Sequence, residues 1–145
     1  MSFLLQYNHK FRINSVPGTT PGTLLDIKRG ITSIDPDNNE DISQDYYYDG
    51  NGSASSDVIG LQTVISFEGH RDYADPAQNF IFSLTNKLGP DRVTNFEWEL
   101  PDGTEISGEV TVANIKDPGG DANSKGEIEF EIHFNGLPTV TPPTP

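Results

Sequence analysis

Apolar and polar residues alternate along much of this chain. From Gly126 to Gly136 it reads GEIEFEIHFNG, and Ile128, Phe130, Ile132 and Phe134 alternate with Glu127, Glu129, Glu131 and His133. A period of two puts the apolar set on one side of a strand and the acidic set on the other. The same pattern runs through VTNFEWEL, where Phe96, Trp98 and Leu100 oppose Asn95, Glu97 and Glu99. It returns in EISGEVTVANI, where Ile106, Val110 and Val112 oppose Ser107, Glu109 and Thr111. Between these two, PDGT at 101–104 carries an Asp-Gly pair that predicts a hairpin. KDPGGDANSKG at 116–126 predicts a longer turn-rich loop. In IGLQTVISFEGHR, Leu61, Ile65 and Phe67 share a face with Thr63, while Gln62, Ser66, Glu68 and His70 share the other with Val64. LLDIKRGITSI at 24–34 predicts a strand interrupted at Gly30.

One segment, DPAQNFIFSLTNKLGP, has a helical period. Asp75 is a good N-cap, Pro76 suits the first helical position, and Gln78 stands where a capping box would close. Ala77, Phe80, Ile81, Leu84 and Leu88 fall on one side, with Lys87 in the last turn and Gly89-Pro90 as the stop. The pattern predicts an amphipathic helix over about 75–88 that packs Phe80, Ile81, Leu84 and Leu88 on a sheet.

The remaining segments are connections and ends. FLLQYNHKFRIN and the Pro/Gly/Thr-rich SVPGTTPGT make up an N-terminal arm over about 1–23. Residues 35–58 are a long polar segment in which only DISQDYYYD resembles a strand, and a loop of that size is usually functional or disordered. TVTPPTP closes a Pro-rich tail over about 137–145, a low-complexity stretch not expected to pack by itself. Consecutive strands with short links favour antiparallel pairing. The predicted fold is a single mainly β domain over 1–145, an antiparallel β-sandwich or barrel with one flanking helix.

Charge narrows the function. Acidic residues number 22 and basic residues 9, for a net charge of −13. That balance argues against a nucleic-acid reader, whose affinity comes largely from Lys and Arg on phosphates, and against docking on anionic membranes. Only 33% of residues are apolar, which fits a thin or extended protein, or one that relies on neighbouring copies to complete its burial. Cysteine is absent, which excludes disulfides and thiolate metal sites. The start, MSFLLQYNHK, has an apolar run too short for a signal-peptide core, and no window approaches a membrane span.

Candidate chemistry is thin. DPDNNED places Asp35, Asp37, Asn39 and Asp41 at alternate positions, as in a calcium loop, but the sixth and twelfth places hold Glu40 and Tyr46 instead of Gly and Glu. Acid pairs for glycoside hydrolysis need burial or a close like charge to raise one pKa, and a solvated glutamate row offers neither. His9, His70 and His133 lack a nucleophile motif beside them, and GDANSKG lacks phosphate-loop spacing. The reading is of a non-enzyme with no cofactor and no metal. Asp45, Tyr46, Tyr47, Tyr48 and Asp49 form an acidic, aromatic cluster suited to another protein surface. In an immunoglobulin-like carbohydrate-binding module, the same tyrosines and Trp98 would contact sugar.

Three stretches resemble a known family: DYYYDGNG; SDVIGLQTVISFEGHRDYADPAQNFIFSL; and FEWELPDGTEISGEVTVANIKDPGGDANSKGEIEFEIHFNG. They are similar to the major tail tube protein of long, non-contractile bacteriophage tails, in the form of phages infecting Gram-positive hosts. The similarity runs from about Gly22 to Pro138 and includes no catalytic motif. The resemblance implies a β-sandwich with a flanking helix, subunits joined into usually six-fold rings, and rings stacked into a hollow tube. It implies that the 35–58 segment reaches the neighbouring ring and that both terminal arms help the stacking. The partners implied are other copies of the chain, a tape-measure protein, tail-tip or baseplate proteins and a tail terminator. The tube would be assembled in the host cytoplasm, belong to the virion tail and pass DNA without specific binding. Glu127, Glu129 and Glu131, with some of Glu97, Glu99 and Glu109, would then line the lumen. A negative wall repels phosphate over roughly 8 Å at physiological salt. A terminator or baseplate ring is the related expectation.

Overall fold

The computed structural model describes residues 3–19 and 22–143. Met1, Ser2, Thr20 and Pro21 of the expected N-terminal arm, and Thr144 and Pro145 of the expected tail, lie outside the described residues. The strands are β1 (Lys10–Asn14), β2 (Leu24–Asp26), β3 (Ile31–Asp37), β4 (Asp41–Tyr46), β5 (Ala54–Gly60), β6 (Val64–His70), β7 (Val93–Glu99), β8 (Glu105–Gly119), β9 (Glu127–Phe134) and β10 (Thr139–Thr141). The helix is α1 (Pro76–Ser83). One sheet runs in the order β2-β1-β7-β8-β9-β6-β3, with β10 added to β8. Among the described residues, β4 and β5 pair only with each other. All pairings are antiparallel.

Alternation in the sequence matches burial in the sheet. Ile128, Phe130, Ile132 and Phe134 of β9 are buried, as are Phe96 and Trp98 of β7, Val110 and Val112 of β8, and Ile65 and Phe67 of β6. The sheet curls over this apolar face. Phe11 of β1 and Phe67 of β6 are four strands apart in the order, yet their rings meet edge to face at 5.0 Å. A flat sheet would hold those strands about 19 Å apart. Phe96 and Phe67, three strands apart, approach to 6.4 Å. β2-β1-β7 therefore faces β9-β6-β3 across an aromatic core, with the long β8 turning between the layers. β8 pairs with β7 through Glu105–Thr111 and with β9 through Val110–Gly119, and register shifts next to Asn114 (φ 50°) re-aim its second half. The edge strands β2 and β3 share no ladder, so the sandwich stays open.

α1 covers the core with Ala77, Ile81 and Leu84 buried, and Phe80 is half-buried against the same cluster. Asp75 caps it by accepting from the Gln78 N–H at 3.2 Å. The helix is shorter than its pattern predicts, and Leu88 is 82% exposed instead of packed on the sheet. Competing donors end it. The Leu84 N–H turns back to the Ile81 and Phe82 carbonyls, and the Ser83 and Thr85 hydroxyls donate to the Phe80 and Phe82 carbonyls. Arg92 then takes the carbonyls of Thr85 and Lys87, each at 2.8 Å.

Four other expectations change. Residues 10–14 belong to the sheet, with Phe11 and Ile13 buried, so only the segment before Lys10 is an arm. SVPGTTPGT connects β1 to β2 around the buried Asn14, whose Oδ1 accepts from the N–H groups of Val16 (2.9 Å) and Thr23 (3.1 Å). Residues 35–58 are not a loop but the end of β3 followed by a β4–β5 hairpin whose two faces are both exposed, which erases any alternation. Lys116–Gly119 extends β8 instead of opening a loop, and Thr139–Thr141 of the tail pairs with Glu105–Ser107.

Candidate functional site

The six glutamates singled out by pattern all lie on the outward face of the one sheet, but the curl divides them. On the first layer, Arg12 of β1 reaches Glu97 at 3.2 Å, Glu99 at 3.9 Å and Glu105 at 3.8 Å, and Lys10 reaches Glu99 at 3.5 Å. A hydrogen bond with Glu97, then burial, pushes the Glu105 carboxyl up. This patch carries its own counter-charge. The counter-ion role of Lys10 and Arg12 is not legible in the glutamate pattern, although KFRIN already alternates them outward against Phe11 and Ile13.

The second layer is different. Glu127, Glu129 and Glu131 of β9 stand opposite His70, Glu68 and Ser66 of β6. Glu131 accepts from Asn114 (2.6 Å) and pairs with His133 (2.8 Å), which together hold its carboxyl below the usual range. Glu127 and Glu129 are exposed and, among the described residues, have no Lys or Arg within 4.0 Å. Glu129 directly opposes Glu68 of β6, a like-charge pairing that costs stability, and on its other side stands in register with Lys116 of β8, beyond ion-pair distance. Glu109, on β8 between the layers, is likewise exposed and, among the described residues, has no Lys or Arg within 4.0 Å. The second layer therefore keeps Glu127 and Glu129 outside any ion pair, whereas on the first layer Arg12 and Lys10 serve Glu97, Glu99 and Glu105.

Other candidates do not assemble. Asp35 and Asp37 belong to β3, and Asp37 accepts from the Asn39 N–H at 2.9 Å in the turn that leads into β4. Among the described residues no group of three or more His, Cys, Asp or Glu is placed to hold a metal ion. Trp98 is 8% exposed and donates its indole N–H to His9 Nδ1 at 3.0 Å, so it is a core residue and no sugar platform.

The β4–β5 hairpin is the most exposed feature. Its base is tied by the Gln62 N–H to the Asn38 carbonyl (2.9 Å) and by the Thr63 hydroxyl to Asn38 Oδ1 (3.0 Å). Past that base, Ile42 and Val58 face each other across the register at 56% and 53% exposure. Tyr46, Tyr47 and Tyr48 are exposed at the far end, flanked by the exposed Asp45 and Asp49. Phe3, Leu4, Leu5 and Tyr7 are also exposed. A lone two-stranded hairpin is marginally stable in water, and clustered apolar exposure marks an interaction surface.

No protein-family model matches the chain, and no curated protein matches it. Solved structures do. A chain from the tail of an empty gene transfer agent particle, obtained by helical refinement with C6 symmetry, superposes with a TM-score of 0.77 at 16% identity, covering 97% of this chain and 100% of that one. A chain from the cap that terminates the anti-feeding prophage tube gives 0.64 at 12% identity, over 97% and 92%. A chain from the sheath-tube complex of an extracellular contractile injection system gives 0.61 at 13% identity, over 97% and 92%. The open antiparallel sandwich with its flanking helix is thus a fold this chain shares with chains of phage-like tails and injection tubes.

Proposed function

We propose that this chain is the tube subunit of a long, non-contractile phage tail, self-assembling into six-fold rings that stack around a channel for DNA. The observation that carries the reading is the end-to-end superposition on a chain of a C6-symmetric tail. The surface supports it. Free edges at β2 and β3 invite strand pairing, which neighbours in a ring would satisfy. The hairpin, with Tyr46–Tyr48 at its end, supplies a contact toward the next ring, and the segment before Lys10 supplies a clasp. The tail belongs to a phage of a Gram-positive host and is assembled in the host cytoplasm. Its partners are the tape-measure, tail-tip or baseplate and terminator proteins.

The second layer is the better lumen wall, because Glu127 and Glu129 keep their charge unpaired while Glu97 and Glu99 share Arg12 and Lys10. DNA then meets a wall on which Glu68, Glu127, Glu129 and Glu131 outnumber the one lysine, Lys116, so counterion-releasing contact is disfavoured. Glu127→Lys with Glu129→Lys in the phage should give tails of normal length that fail to deliver DNA; normal delivery would sink this assignment.

A terminator ring is the second reading, favoured by the likeness to the tube-terminating cap. Negative-stain microscopy of the concentrated protein separates the two. Tubes or stacking rings support the tube, and single rings support the terminator. Monomers that persist after addition of the tail-tip complex refute both.

A further inference from the structure

We propose that a basic groove at one end of the β3–β6 pair is the receptor for the β4–β5 hairpin of a second copy of this chain. β3 and β6 run antiparallel, with Asp37 opposite Val64 at the end where the hairpin leaves and Ile31 opposite Gly69 at the other. About six residues of strand put the two ends roughly 20 Å apart. At the far end lies a groove of 660 Å³ between Arg29-Gly30, the His70–Ala74 segment and Lys125.

Its charge is the reverse of the chain's. Arg29, Arg71 and Lys125 line it against one carboxylate, Asp72, which is paired with Arg29 at 2.8 Å. Arg71 is held by neutral acceptors: the Asp72 carbonyl (2.9 Å), Gln78 Oε1 (3.3 Å) and Asn79 Oδ1 (3.0 Å). Its guanidinium lies over the rings of Tyr73 (4.5 Å) and Phe82 (4.7 Å). The cation is thus fixed in place without being neutralised. Lys125 is exposed and, among the described residues, has no carboxylate within 4.0 Å. Tyr73, 72% exposed, adds an aromatic wall.

The hairpin matches this chemistry. Residues 38–60 contain Glu40, Asp41, Asp45, Asp49 and Asp57 and no Lys, Arg or His, and they expose the three tyrosines. An acidic aromatic hairpin and a basic groove with an aromatic wall are complementary, and complementary charge sets register between copies. Because the two features sit at opposite ends of one strand pair, the contact is between copies and runs head to tail. Such a heterologous contact propagates along the strand direction into an open stack. The tube reading places the second copy in the next ring, and the inference rests on it there.

The chain has no cysteine, so single cysteines report cleanly. Gly50 sits at the hairpin tip with nothing within 4 Å of an added Cβ, and Ala74 lies on the groove wall. Gly50→Cys protein mixed with Ala74→Cys protein under mild oxidation should give a cross-linked pair, since a disulfide needs Cα atoms within about 7 Å. The yield should fall severalfold from about 50 to about 500 mM NaCl, and again when the Ala74→Cys partner also carries Lys125→Glu. Leu88→Cys, exposed past the C-terminal end of α1 while the groove lies before its N-terminus, should give no pair with Gly50→Cys. No product from Gly50→Cys with Ala74→Cys, or equal product with Leu88→Cys, overturns the groove. Tubes without the cross-link refute the groove and leave the tube reading standing. Cross-linked pairs in a protein that forms neither rings nor tubes uphold the groove and refute the tube.

Discussion

Replacing Gln78 by Leu should cost the isolated chain about 3 kcal/mol of stability. Gln78 is 1% exposed, and its side chain works at both ends. Oε1 accepts from the Asp72 N–H at 2.8 Å and from Arg71 at 3.3 Å, while Nε2 donates to the carbonyls of Arg29 (2.7 Å) and His70 (3.0 Å). It thereby joins α1 to the end of β6 and to the link between β2 and β3. Leu has similar volume, so the change leaves no cavity and removes polar partners only. The Asp72 N–H and two carbonyls are orphaned, at about 1–3 kcal/mol per buried group. All three lie at the margin of the core, where water relieves part of the cost, so the low end applies and the total is about 3 kcal/mol. Trp98 is the only tryptophan and is nearly buried, so its fluorescence reports urea unfolding. With a slope of about 2 kcal/mol/M, the midpoint should drop by about 1.5 M. A drop under about 0.3 M would refute the network as a source of stability. Gly30 restates the constraint from the backbone side: it has φ +77°, and a Cβ there would run into the His70 carbonyl.

Two further outcomes follow from the same geometry. Burial holds the His9 pKa below 6.5, and His9 accepts from Trp98, so the folded state favours the neutral ring. Its contribution is fully present above pH 6.5 and is lost as the pH falls through the lowered folded value. Trp98 emission should therefore shift below pH 6.5 in the wild type and stay level in His9→Gln; a full shift in that variant would place its source elsewhere. Tyr46→Ser with Tyr48→Ser should leave the unfolding free energy within about 0.5 kcal/mol of wild type, because β4 and β5 pack chiefly on each other, yet it should abolish assembly. Retained tubes with a lowered midpoint would show that the tyrosines serve their own chain instead.

Much of this fold was legible in the sequence because strand alternation and helix capping are local. Ile128 to Phe134 declare their buried side through their immediate neighbours, Asp75-Pro76 opens α1, and PDGT turns β7 into β8 with Gly103 at φ +96°. Alternation is silent where neither face is buried, which is why the β4–β5 hairpin read as a loop. The length of α1 escaped because the Ser83 and Thr85 hydroxyls donate to the Phe80 and Phe82 carbonyls that would have continued it, and Arg92, from outside the helix, holds the following turn by the Thr85 and Lys87 carbonyls.

The site divides along the same line. A row of glutamates on one face follows from sequence alone, since a period of two reports which side a residue takes. What stands across from each glutamate depends on strand register and on the curl of the sheet. Arg12 and Glu97 are 85 residues apart and become an ion pair only when β1 joins β7. Arg29, Arg71 and Lys125 become one groove only when the β3–β6 pair and the turn before β9 meet. The sequence by itself determined strands, faces and overall charge. Tertiary structure decided which charges are neutralised and which stay free, because charge pairing depends on distances between segments that local pattern does not encode.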